Sequence, residues 1–211
     1  MPRIDDYNQA FELGLKALEG KNPDLLARYS GSEIHRDKDG RITLSMTYLN
    51  REIVSPWPEL QFKSSGEALS IQEQVLVVHY LQGAWDNSGA PISGEWISFQ
   101  DIPDGRFYMD AFLKRAKIPL ISIFGNNPER LVDLAEKAYK AEPIEHGDVS
   151  MKLMAFPLVW LALIIWKGDE EFPPEGNILF DRNIINLLSA EDISWLAGMA
   201  VYPLIGMAKK E

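Results

Sequence analysis

The sequence predicts an α+β fold, a single domain over residues 1–211 in which several helices cover an antiparallel sheet. Three observations lead there. Apolar residues recur at helical spacing in separate stretches, beginning with Ile4, Tyr7, Phe11, Leu15 and Leu18. Between Ser32 and Lys63 the period drops to two. Then Leu153 to Trp166 forms a 14-residue apolar run, broken only by Pro157, that must be buried.

The first helix spans residues 4 to 19, with Glu12 and Lys16 as an i,i+4 pair on the wet side and Gly20 ending it. Asn22 before Pro23 is a cap followed by a first-turn proline, opening a short helix through Tyr29. Asp37 to Gly40 is a turn. Ile42, Leu44, Met46 and Tyr48 alternate beyond it, Asn50 turns the chain again, and Glu52 to Ser55 returns. Ser70 and Glu73 make a capping box for a helix from Ile71 to about Trp85.

Gly94 to Phe99 (GEWISF) is a short extended piece, and Phe107, Met109, Phe112 and Leu113 give a helix to about Ala116. Pro119 is expected to separate that helix from a short turn ending at Gly125. Asn127-Pro128 repeats the cap-plus-proline signal ahead of Leu131, Leu134, Ala135, Ala138 and Tyr139. Ser150 to Phe156 is extended, and Val159 to Trp166 is either a strand buried on both faces or a core helix, its length and β-branched content favouring the strand. Asn177 to Phe180 adds a short strand. Ser189 with Asp192 caps a last helix, Ala190 to about Met207, kinked near Pro203. One sheet is expected to combine the 32–56 meander with the 150–166 strands, under five or six helices. Trp160, Leu163 and Trp166 are expected in its core.

Composition narrows the function. A net charge of −10 and no clustered basic face argue against a nucleic-acid partner. There is no cysteine, so disulfides, thiolate zinc sites and a cysteine-ligated Fe–S cluster cannot form in this chain. The acidic, amphipathic N-terminal stretch does not read as a secretory signal, and the 153–166 run is short of the roughly 20 residues a bilayer span needs. The expectation is a cytoplasmic protein without a membrane span. No nucleophile elbow, phosphate loop, dinucleotide fingerprint or H-E-x-x-H motif occurs, and only His35, His79 and His146 offer imidazoles.

Two motifs remain as candidate sites. Trp166 to Asp181 reads WKGDEEFPPEGNILFD, and Lys167 to Asp192 holds seven acidic residues against Lys167 and Arg182. Asp169, Glu171 and Asp181 are candidate ligands for a hard cation, or a carboxylate set whose pKa values are driven apart for acid–base work. The structural alternative has Asp169 and Asp181 accepting backbone N–H bonds to pin the loop, with the other carboxylates solvated. The second motif sets Glu95 beside Trp96, a carboxylate next to a ring able to stack on a ligand or anchor a partner. The plainer alternative is a core tryptophan.

These residues also carry a resemblance. Gly94 to Phe99, Phe112 to Phe124-Gly125, Gly147-Asp148, Phe156-Pro157 and Trp166 to Asp181 resemble, in order, the signature blocks of the domain-of-unknown-function family numbered 3786. The similar region runs from about residue 70 to 205. That family has no settled activity. Some members join this domain to a cysteine-rich segment read as an Fe–S cluster site, and the family occurs mostly in anaerobic bacteria and archaea. The resemblance therefore implies an accessory role near Fe–S or corrinoid, one-carbon metabolism. Without cysteine here, any cluster belongs to a partner.

Two function classes follow. The first is a binding or accessory module that recognises a cofactor, small molecule or protein partner through the acidic loop and the Trp-bearing turn. Its binding residues are Glu95, Trp96, Asp169, Glu171, Phe172 and Asp181. The second is a carboxylate enzyme, with or without a divalent metal. The two motifs are expected to line one depression, with the Glu95 and Asp169 side chains within about 15 Å.

Overall fold

The computed structural model describes residues 4–210, apart from the Ile4 side chain. Met1–Arg3 of the N-terminal stretch read above lie outside the described residues. The fold is α+β, and the chain divides into two compact units.

The first unit takes the described residues up to Pro91 with Phe156–Leu158 and Asn186–Leu188. Helix α1 (Ile4–Leu18) packs on α3 (Ile71–Asp86) at Gly14, where an added Cβ would lie 2.5 Å from the Val78 side chain. Glycine is required there by close approach. Between them come α2 (Pro23–Ser30) and a five-stranded antiparallel sheet, β1 (Glu33–Arg36), β2 (Ile42–Tyr48), β3 (Arg51–Pro56), β4 (Lys63–Ser64) and β5 (Glu67–Ala68), ordered as in the chain. Both predicted caps form. Asn22 Oδ1 accepts from Leu25 N at 3.0 Å, and Ser70 Oγ accepts from Glu73 N while Glu73 receives Ser70 N. In the core, Phe156 stacks between Tyr48 and Tyr80, and the Tyr80 hydroxyl donates to Ser30 O at 2.5 Å.

The second unit takes Ile92–Ala155, Val159–Ile185 and the described residues from Ser189 onward. Its antiparallel sheet contains β6 (Trp96–Ser98), β7 (Glu142–Pro143), β8 (Val149–Phe156), β9 (Val159–Trp166) and β10 (Glu175–Asp181). Their spatial order is β6-β10-β9-β8-β7. Helices α4 (Gly105–Phe112), α5 (Ile118–Phe124), α6 (Glu129–Tyr139) and α7 (Ala190–Ala208) complete the unit. Leu161 to Ile165 are all buried, so β9 is covered on both faces as its continuous apolar sequence requires. Ile178 and Phe180 of β10 join them, and Phe180 leans on the stacked pair Phe99 and Phe112.

Several expectations need correction. The strands form in two sheets rather than one. Strand β2 buries alternate residues, Leu44, Met46 and Tyr48, whereas β9 is central and takes β8 and β10 as neighbours; the two patterns belong to different sheets. Leu163 is fully buried, but Trp160 is half-buried and Trp166, the last residue of β9, is 41% exposed. An apolar run does not have to stay inside at its final residue.

Pro119 does not end the helical segment either. A π-helical turn over Leu113–Lys117 carries the chain from α4 into α5, with Pro119 in the first turn of the latter. The widened turn accommodates a residue that has no N–H and whose ring crowds the preceding carbonyls. At α6, Pro128 occupies the cap position and no side chain caps the helix.

Candidate functional site

Strand β10 connects the two predicted motifs and holds them apart. Its Asp181 pairs across the sheet with Trp96, and its Glu175 pairs with Trp166. The six steps between those residues span roughly 20 Å of extended chain. The expected shared depression is therefore not formed: the Glu95–Trp96 turn sits at one end of the strand and the Asp169 loop joins the other.

At the first end Asp181 is 2% exposed. Its Oδ1 accepts from Ser93 N at 2.9 Å, Ser93 Oγ at 2.8 Å and Asn183 N at 3.1 Å, and its Oδ2 accepts from Gly94 N at 2.7 Å. Burial alone would raise its pKa, but the donated bonds from Ser93, Asn183 and Gly94 outweigh it and leave the carboxyl below the ordinary value. Beside it Glu95 forms a two-pronged pair with Arg182, at 2.6 Å to Nε and 2.7 Å to Nη2, and the Arg182 N–H donates to Glu95 O. Trp96 is half-buried within β6. Asp181, Glu95 and Trp96 are thus brought together as the clasp between β6 and β10.

At the other end the chain from Lys167 to Pro174 forms a tight loop. Asp169 Oδ1 accepts from both Glu171 N and Phe172 N at 2.8 Å, while Asp169 N donates to Phe172 O at 2.9 Å. The bonds from Phe172 and then Glu171 hold the Asp169 carboxyl below its ordinary pKa. Two glycines let the chain close on this loop, and two more pack beside it against β9 and α5. An added Cβ would come within 2.7 Å of Pro174 at Gly125 and at Gly168. At Gly147 it would lie 2.8 Å from Ile164 and 2.9 Å from Ile165 O, and at Gly176 2.8 Å from Ile121. Asp148 Oδ2 accepts from Lys167 N at 2.8 Å, and Lys167 Nζ approaches Glu129 at 4.0 Å.

What this locked loop presents is an aromatic side chain among carboxylates. Phe172 is 67% exposed, and Trp166 flanks the loop where β9 ends. Asp169, Glu170, Glu171 and Glu175 are exposed around it. Among the described residues no group of three or more His, Cys, Asp or Glu is placed to hold a metal ion. The candidate ligand set is not assembled, because Asp181 lies at the far end of β10 from Asp169 and Glu171. Nor are Asp169 and Asp181 driven apart in pKa; both are shifted down.

Trp166 opens the acidic motif in the sequence and was also expected in the core; the structure leaves it exposed at the loop end. Sequence reasoning missed Glu129, which only the fold brings to Lys167. Gly147-Asp148 was legible as a motif, though not for its hydrogen bond to Lys167 N.

The family model described as Domain of unknown function (DUF3786) matches residues 22–202. The chain belongs to this family. No curated protein and no solved structure matches it. Among the blocks that carry the resemblance to DUF3786, Gly125, Gly147-Asp148 and Gly168 to Gly176 meet at the loop end, while Gly94 to Ser98 and Asp181 form the clasp. Much of what those blocks specify is therefore close backbone packing.

Proposed function

We propose that this DUF3786 protein is a non-catalytic docking module, acting in the cytoplasm, that recognises a protein partner through the Lys167–Pro174 loop. The observation that carries the reading is Phe172, held out to solvent on a loop whose shape is fixed by Asp169 and by glycine contacts. Exposing a phenylalanine forgoes the burial that usually stabilises it, and a fixed loop spares the ordering cost of binding. Aromatic anchors of this kind dominate binding energy in interfaces. The Glu95–Trp96 turn then serves as the strand clasp that supports the loop's sheet. A redox or one-carbon enzyme carrying an Fe–S or corrinoid centre is the partner class that the family resemblance implies.

The test is affinity capture from an extract of the source cells with the wild-type protein and Phe172→Ala, both verified as folded by circular dichroism. The expected result is a partner retained by wild type and lost by the variant, with iron–sulfur or corrinoid absorbance in the retained fraction. Equal retention by the variant would overturn the loop as the recognition element.

A further inference from the structure

We infer that the partner surface taken by this loop is cationic and apolar together: a lysine- or arginine-rich protein segment whose apolar side chains cover Phe172. The inference rests on the docking reading above and adds the chemistry of the occupant. The aromatic part is Phe172, 67% exposed, with Trp166, 41% exposed, at the adjoining strand end. The charge part comes from the fold as well as the sequence. Asp169, Glu170, Glu171 and Glu175 are exposed on the loop and at its exit. Asp148 is tied to Lys167 N, and Glu129 faces Lys167 Nζ at 4.0 Å. Lys167 lies among these six carboxylates.

An apolar knob inside so negative a field discriminates between partners. A neutral or acidic surface would have to desolvate or repel the carboxylates, whereas a basic one is steered in and pairs with them. A second copy of this chain presenting the same loop would bring the same sign of charge to the contact. The charge complementarity therefore selects a basic partner over self-association. The apolar part supplies the surface that leaves water, and the carboxylate rim supplies orientation and association rate.

Three labelled synthetic helical peptides provide the probes for anisotropy titration: one alternating leucine and lysine faces, one leucine and glutamate, one serine and lysine. The leucine–lysine peptide is expected to bind, to weaken about tenfold or more as salt rises from ~0.05 to ~0.5 M, and to lose about tenfold on Phe172→Ala. Serine–lysine binding as tight as leucine–lysine would reduce the site to nonspecific charge and overturn the inference. So would leucine–glutamate binding, or indifference to Phe172→Ala in a variant whose unfolding midpoint is unchanged. Sedimentation showing self-association that Phe172→Ala abolishes would assign the face to a second copy instead. If capture from extract depends on Phe172 while the peptide series fails, docking stands and the cationic assignment falls.

Discussion

Gly125 and Pro174 lie so close that a single methyl group on the glycine would sit 2.7 Å from the proline Cβ. Gly125 follows α5, and Pro174 closes the acidic loop, so this contact ties the loop to the helix. The same methyl would lie 2.6 Å from Ile121 O. Neither neighbour is the free end of a flexible chain.

Gly125→Ala is therefore expected to destabilise the protein by about 1–3 kcal/mol. Helix propensity acts the other way, favouring alanine by up to about 1 kcal/mol where the backbone is helical, and the clash outweighs it. Gly206, inside α7 with nothing within 4 Å of an added Cβ, is the internal control. Gly206→Ala should stabilise by about 0.4–1 kcal/mol. Urea midpoints that move the same way in both variants would show that the loop yields to Pro174.

Leu163 and Trp166 separate what the apolar run does at its middle from what it does at its end. Leu163→Ala removes a fully buried side chain from the central strand β9 and should cost about 2–5 kcal/mol. Trp166→Ala should cost clearly less, because that residue is 41% exposed. Denaturant unfolding of the two variants measures both, and a larger loss at Trp166 would contradict the packing.

That pair also illustrates how much of the fold was legible. Period-two alternation found β2, continuous apolar sequence found β9, and the S-x-x-E and S-x-x-D boxes found the starts of α3 and α7, because each signal is local. Which sheet a strand joins depends on contacts distant in sequence, so the meander and the 150–166 strands were wrongly merged. The loop-pinning alternative was likewise local chemistry and describes Asp169, whereas Asp181 accepts mainly from Ser93 and Gly94, distant in sequence. Their placement at opposite ends of β10 was hidden, since nothing in the spacing of Glu95 and Asp169 encodes β6 pairing with β10.

Asp181 should contribute to the acid limb of stability. Its folded pKa lies below the ordinary value of 3.8, so its contribution is present above that value and is lost as pH falls through the lowered folded pKa. Asp181→Asn presents an amide to the N–H donors of Ser93, Gly94 and Asn183, and should cost about 1–3 kcal/mol at neutral pH. The variant should also lose less stability than wild type between neutral pH and pH values below 3.8. Parallel pH profiles for variant and wild type would show that the clasp does not depend on this charge.

Phe172 and Asp169 give the sharpest separation of folding from recognition. Phe172 is mostly in water, so Phe172→Ala should change stability by no more than about 0.5 kcal/mol, as for a surface substitution that breaks no special contact. Asp169→Asn keeps one acceptor oxygen and removes the charge, leaving the N–H groups of Glu171 and Phe172 a weaker partner. Because the loop is exposed, the loss should be local: faster amide exchange at Glu171 and Phe172 with a nearly unchanged global unfolding midpoint. Peptide anisotropy on the two variants then reads recognition directly. Phe172→Ala should weaken binding about tenfold through the missing anchor, and Asp169→Asn should weaken it through a loop no longer held in shape. A cooperative collapse of the whole fold in Phe172→Ala would mean that the ring supports the core, and that its exposure is not available to a partner.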